Sequence, residues 1–197
     1  MARKPASKHS SGGQLRIIAG EWRSRKLPVA DLPGLRPTSD RVRETVFNWL
    51  APYVPGAKVL DCFSGTGALS LEALSRGASE AVMLEMAATA ANTLKSNLAT
   101  LNAENARVIN TDSMKWLKQP AQTPFDLIFL DPPFRKDLLK ETCQLLEDNG
   151  YLNDDTLIYI EGEKELLPLP VPETWSFLRQ KNAGQVCFSL WRTNHVE

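Results

Sequence analysis

The sequence predicts a doubly wound α/β fold: a mostly parallel seven-stranded sheet that ends in a C-terminal antiparallel hairpin, with a small N-terminal hairpin and helix in front of it. Three observations predict it. From Lys58 onward, short apolar runs rich in β-formers alternate with segments of helical spacing, the signature of parallel strands joined by right-handed crossovers. Acidic residues stand at the ends of four of those runs, at Asp61, Glu85, Asp112 and Asp131. The last two apolar runs are joined across Ala183-Gly184, too short a link for anything but an antiparallel pair.

Residues 1–13 are polar and basic and should be disordered when free. Leu15 to Ala19, a turn near Gly20-Glu21, and Trp22 to Val29 read as a small hairpin whose apolar residues face the body while Arg16, Arg23, Arg25 and Lys26 face outward. Trp22 is either a stacking platform for a nucleotide or the core anchor of that hairpin. Pro28 to Pro37 is a loop. Thr38, Ser39 or Asp40 can cap a helix in which Val42, Val46, Phe47, Trp49 and Leu50 share a broad apolar face, with Arg41 and Arg43 off it. The chain thus divides into a tail (1–13), a hairpin-and-helix extension (14–55) and a main domain (56–197). In the main domain, strands are predicted near 57–62, 80–85, 106–110, 125–130 and 156–161, then 174–181 and 185–192. Helices are predicted near 67–76, 88–101, 113–118 and 137–148.

The composition excludes several classes. At 197 residues, with 43% hydrophobic and 23% charged content, the chain is long enough for a substantial core. No apolar run approaches the ~20 residues of a membrane span, and the first thirteen residues lack the apolar stretch of a secretory signal. Cys62, Cys143 and Cys187 are odd in number and widely spaced, which fits neither a disulfide framework nor a zinc site and points to a reduced, cytoplasmic compartment. Net charge is zero, but ten Lys or Arg against four acids give residues 1–50 a charge of +6 and leave −6 on the remainder. A basic segment on an acidic body suggests a polyanionic partner.

Two stretches carry chemistry. Phe125 to Leu130 is a buried strand, and Asp131-Pro132-Pro133-Phe134 follows at its carboxyl end, where open α/β sheets bind ligands. The prolines fix the backbone and free a carbonyl, and Phe134 offers a stacking face; together they suit a planar group with an exocyclic amine. The alternative is a Pro-rich turn with a capping Asp. In Asp61-Cys62-Phe63-Ser64-Gly65-Thr66-Gly67 a carboxylate stands between the strand and the glycines. It would repel a pyrophosphate but could bind an amino group, which favours S-adenosylmethionine over a nicotinamide dinucleotide. Glu85 can accept ribose hydroxyls. Asp112 can accept from an adenine amine or serve only as a cap, and Ser113 beside it is a plausible cap.

With these motifs in this order, the chain resembles class I, Rossmann-like S-adenosylmethionine-dependent methyltransferases that act on exocyclic amines. The segments Arg16 to Arg23, Arg36 to Leu50 and Asp61 to Leu69 make it similar to the RsmD family, bacterial 16S ribosomal RNA guanine-N2 methyltransferases, over about Leu15 to Trp191. The resemblance implies cofactor contacts at Asp61, Phe63, Gly65, Gly67, Glu85, Asp112, Ser113 and Thr38, and target contacts at Asp131, Pro132, Pro133 and Phe134. It also implies an RNA-binding surface at Arg16, Trp22, Arg23, Arg25, Lys26, Arg36 and Arg41, and no metal. The implied substrate is guanine 966 in the 30S subunit or its precursor, and the implied state a cytoplasmic monomer without a membrane partner. Ser70, where a third glycine is common, and Ala87, after the ribose acid, depart from the family pattern. Rival readings are another amine (adenine N6, cytosine N4 or a glutamine side chain), whose enzymes usually show Asn and Tyr in place of Asp131 and Phe134, or a silent RNA-binding assembly factor. A nicotinamide oxidoreductase is a poor third.

Overall fold

A computed structural model of the chain describes residues 13–35, 37–133 and 137–194, so residues 1–12 of the predicted tail, Arg36 and Phe134 lie outside the described residues. Two short antiparallel strands, β1 (Gln14–Arg16) and β2 (Lys26–Pro28), precede α1 (Asp40–Leu50). The alternating body follows as β3 (Lys58–Asp61), α2 (Ala68–Ser75), β4 (Glu80–Glu85), α3 (Ala88–Leu101), β5 (Ala106–Asn110), α4 (Ser113–Leu117), β6 (Phe125–Leu130), α5 (Leu138–Asp148) and β7 (Leu152–Glu163). The hairpin β8 (Trp175–Ala183) and β9 (Val186–Thr193) closes the chain. The sheet order is β5-β4-β3-β6-β7-β9-β8, with β3 to β7 parallel and β9 antiparallel to both β7 and β8. The strand from 152 begins before the predicted 156, across a register shift opposite β6.

Strand side chains alternate between faces, and here both faces are buried. Val59, Leu127, Phe129, Leu157 and Tyr159 pack with α1, α2 and α3; Leu60, Ile128, Leu130, Ile158 and Ile160 pack with α4 and α5. Helices on both faces explain why the strands read as continuous apolar runs rather than alternating ones. Leu15, Ile17, Trp22, Leu27 and Val29 join the first cluster. The N-terminal segment is therefore built into the core of the sheet's α1–α3 face. Gly20, with φ at +83°, sits so close to α2 that a Cβ there would lie 1.8 Å from the Ser75 carbonyl oxygen, so only glycine fits.

Candidate active site

The chain leaves β3 for β4 and β5 on one side, then returns to β6 on the other side of β3. The resulting switch point, outside the carboxyl ends of β3 and β6, is where such sheets bind ligands. Asp61 ends β3 and Asp131 follows β6. The turn after β3 is held by backbone bonds from Cys62 N–H to Phe129 O at 3.1 Å, Ser64 N–H to Leu84 O at 2.9 Å and Gly67 N–H to Ser64 O at 2.7 Å. Gly67 has φ +76°, and a Cβ there would come within 2.5 Å of Leu94 Cδ2. The Glu85 carboxylate braces the turn, accepting from Gly65 N–H at 2.8 Å and from Ala87 N–H at 2.7 Å. Each of its oxygens keeps a further lone pair for a ligand. The two departures from the family pattern have local uses: the Ala87 amide holds Glu85, and Ser70 Oγ donates to Asp61 Oδ2 at 2.7 Å.

Period-two alternation puts a third acid beside the first two. Asp61 follows Val59, Asp131 follows Phe129, and Glu161 follows Tyr159, each two residues on and hence on the α1–α3 face. Leu130 pairs with Ile160, so the same register carried one step further sets Glu161 opposite Asp131 on the neighbouring strand, about 4.8 Å being the usual strand spacing. Glu161 is buried and accepts from the Tyr159 hydroxyl at 3.0 Å and from the Thr38 hydroxyl. Burial pushes the Asp61 carboxyl up to about 7, against the opposing hydrogen bonds from Ser70 and the Phe63 amide and with a smaller push from Glu85. Asp131 is raised well above the usual carboxylate range, by burial first and then by the charges of Glu161 and Asp61. Glu161 is raised as well, by burial, with its two hydroxyl donors acting the other way. Among the described residues, none of the three acids forms an ion pair, and no group of three or more His, Cys, Asp or Glu is arranged to hold a metal ion.

Glu161 is the residue that sequence reasoning missed. The signal was available: it ends the predicted strand 156–161 as Asp61 and Glu85 end theirs. It carries no glycine or proline beside it to mark a turn.

The remaining candidates separate. Thr38 reaches the site through Glu161, and its carbonyl accepts from Arg43 Nε at 3.1 Å. Ser39, not Thr38 or Asp40, caps α1. Phe63 follows the Asp61 turn, half-buried. Asp112 is exposed and caps α4, accepting from Met114 N–H at 2.8 Å. Ser113 is not the cap: it is buried as the first residue of that helix, and its hydroxyl donates to the Cys62 carbonyl, tying α4 to the turn after β3. Trp22 is 7% exposed, packed into the core beneath the hairpin, so it is the anchor and offers no free face for stacking. Arg16, Arg23, Arg25, Lys26 and Arg41 are exposed, Arg16 ion-paired to Asp40 at 2.9 Å and Arg25 bonded to the Thr100 carbonyl at 3.0 Å. Arg43 overturns the reading of α1 as a helix with its arginines off the buried face. It is 1% exposed, because Glu72 lies fully buried opposite it on α2.

A family described as conserved hypothetical protein 95 matches residues 15–192. The Ribosomal RNA small subunit methyltransferase D of Escherichia coli K12 is 57% identical over 184 residues, covering 93% of this chain and 92% of its own. That of Haemophilus influenzae is 50% identical over 183 residues, covering 91% and 94%. This chain belongs to the RsmD family. A solved structure, a putative methyltransferase from Escherichia coli, superposes with a TM-score of 0.87 at 53% identity, covering 93% of this chain and all of the other. The RsmD fold seen here is thus the class I, Rossmann-like methyltransferase fold, its parallel sheet finished by an antiparallel hairpin.

Proposed function

We propose that this RsmD-family chain transfers a methyl group from S-adenosylmethionine to the exocyclic N2 of a guanine in 16S ribosomal RNA. One observation carries the reading: three acids, Asp61 and Glu161 buried and Asp131 half-buried, converge at the switch point, and among the described residues no cation balances them. A buried carboxylate without a counter-charge is costly, and a ligand bearing positive charge and N–H donors would relieve it. Residues at the site fit the cofactor. Asp61 is suited to its α-ammonium, Glu85 to its ribose hydroxyls and Asp112 to its adenine amine, while the Gly65–Gly67 turn lets backbone approach closely. When bound, S-adenosylmethionine supplies an electrophilic methyl group.

The chain's part is to hold the nucleophile. The guanine N2 lone pair is delocalised into the ring. Hydrogen bonds from its N–H groups to the Asp131 carboxylate and the Pro132 carbonyl direct that lone pair away from the ring plane, and positioning of this kind supplies much of the rate. Asp131 stabilises the positive charge that develops on nitrogen. Its raised proton affinity suits it to take the proton that the nitrogen must shed. Phe134 stacks on the base, which has to leave its helix to be reached.

The exposed Arg16, Arg23, Arg25, Lys26 and Arg41 of segment 14–55, with Arg36, are suited to RNA phosphates. They contribute affinity more than base choice, as an extension of the catalytic domain at 56–197. No helix is long and apolar enough to cross a membrane, among the described residues. The reading includes a cytoplasmic monomer acting on the 30S subunit or its precursor. Transfer of tritiated methyl from S-adenosylmethionine to unmodified 30S subunits tests it, with the product nucleosides identified by mass spectrometry. N2-methylguanosine is expected; methyladenosine, or no transfer, would overturn the assignment.

A further inference from the structure

Glu161 has no part in the reaction as set out so far, yet it lies beside the residues that do. It lines a cavity of about 300 Å³ together with Pro132 and Pro133. Two hydroxyl groups, from Tyr159 and Thr38, donate to it. The two hydroxyls offset part of the upward push of burial, and once ionised Glu161 can only accept. A carboxylate has about four acceptor positions, and the two hydroxyls leave the others for a ligand.

The Watson–Crick edge of guanine carries three N–H bonds, two on N2 and one on N1. Asp131 and the Pro132 carbonyl account for the first two. We propose that Glu161 accepts the guanine N1–H and so makes the site specific for guanine, an inference that rests on the reaction proposed above. Adenine and cytosine carry a lone pair at the corresponding ring nitrogen. Either would set acceptor against acceptor and leave a buried charge unpaired, so discrimination comes from repulsion as well as attraction. Thr38 and Tyr159 act as positioning residues: one from the N-terminal segment and one from β7, they hold the carboxylate from two sides.

The test uses 2-aminopurine, which keeps the exocyclic amine but has an unprotonated N1. Thirty-S subunits are assembled with 16S ribosomal RNA carrying either guanine or 2-aminopurine at the target position. The ratio of kcat/KM on the two substrates is then measured for the wild type and Glu161→Gln. Both enzymes meet the same loss of O6, so the change in ratio isolates the residue. The Gln amide can turn its N–H toward N1, and the preference for guanine should fall roughly tenfold to a hundredfold. Affinity for S-adenosylmethionine, by calorimetry, should stay within about twofold and reports an intact fold, because Asp61 and Glu85 are untouched. An unchanged ratio with intact cofactor binding overturns the role of Glu161. So does an equal loss on both substrates. If Glu161→Gln does not bind cofactor, Tyr159→Phe decides: it removes one positioning hydroxyl, so a smaller fall in the same ratio is expected, and none overturns the inference. Absence of N2-methylguanosine with the wild type on guanine subunits defeats the reaction itself, a result distinct from an unchanged ratio.

Discussion

Two groups of buried charge sit on the same face of the sheet, and they are built on opposite plans. Around α1 and α2, the buried charges Arg43 and Glu72 both have counter-charges. Arg43 Nη1 meets Glu72 at 3.3 Å and its Nη2 meets Asp40 at 2.6 Å, while Arg76 Nε holds the other Glu72 oxygen at 2.8 Å. Glu72 also accepts from the amides of Ile18 and Ala19, and Arg43 donates to the Arg16 carbonyl. The Arg16 and Arg43 guanidiniums hold the Asp40 carboxyl below its usual range against some desolvation. At the carboxyl ends of β3, β6 and β7 no acid has a cation among the described residues: Asp61 and Glu161 have hydroxyl partners instead, and all three carboxyls are pushed up. The first group is complete within the chain and fastens the N-terminal segment to α2. The second has no counter-charge among the described residues and is suited to a ligand that brings one. The contrast is what separates structure from function in a chain whose acids and bases are equal in number.

Breaking each group should therefore have opposite consequences. The largest effect is expected on the reaction: Asp131→Asn removes the charge facing the developing ammonium and should lower kcat roughly hundredfold to thousandfold without lowering the melting temperature. A melting temperature that falls along with activity would make Asp131 part of the balanced kind. Next, Arg43→Met takes from buried Glu72 one of its two cations, and the buried guanidinium that also holds Asp40 and the Arg16 carbonyl; it should cost about 3–5 kcal/mol in urea unfolding, with little change in the chemistry per folded molecule. A loss below about 1 kcal/mol, the range of an exposed pair, would show that the group is not closed as described.

The pH dependence sharpens the comparison. Burial pushes the Asp61 carboxyl up to about 7, and an ammonium ligand requires it ionised. Cofactor affinity should thus rise roughly tenfold per pH unit below 7 and level off above, with a proton released on binding near pH 6, visible by calorimetry in buffers of different ionisation enthalpy. The sign for folding is the reverse. The native carboxyl binds its proton more tightly than the unfolded one, at 3.8, so its contribution to stability falls as pH rises from about 4 to 7. A smaller effect still belongs to the basic surface. Arg23→Ala or Lys26→Ala should weaken binding to 30S subunits, reduce the salt slope by about 1 each, and leave the rate at saturation unchanged; an unchanged slope would remove that surface from the interface.

Much of this was legible before any coordinates. Helix 88–101 and strands 80–85, 106–110 and 125–130 fall where the apolar runs and helical spacing put them, because buried parallel strands and their crossovers carry a strong local signal. Asp61, Glu85 and Asp131 were visible as acids at strand ends. What escaped depends on partners distant in sequence. Arg43 reads as a solvated arginine until Glu72, twenty-nine residues on, is placed beside it. Trp22, among four basic residues, resembles a stacking platform until the hairpin folds it inward. Glu161 is visible as an acid at a strand end, but its place beside Asp131 needs the pairing of Leu130 with Ile160, a register no local pattern specifies. Ser113 turns on a bond to a carbonyl fifty-one residues away.

The central claim is that the second group of charges is kept unbalanced for a cationic ligand, and thermal melting of Asp61→Asn with and without S-adenosylmethionine tests it most directly. The account predicts a free protein as stable as the wild type or more so, since a costly buried carboxylate is gone, and a cofactor-induced rise in melting temperature that is largely lost. A destabilised free protein that still gains the full wild-type rise from the cofactor would contradict it.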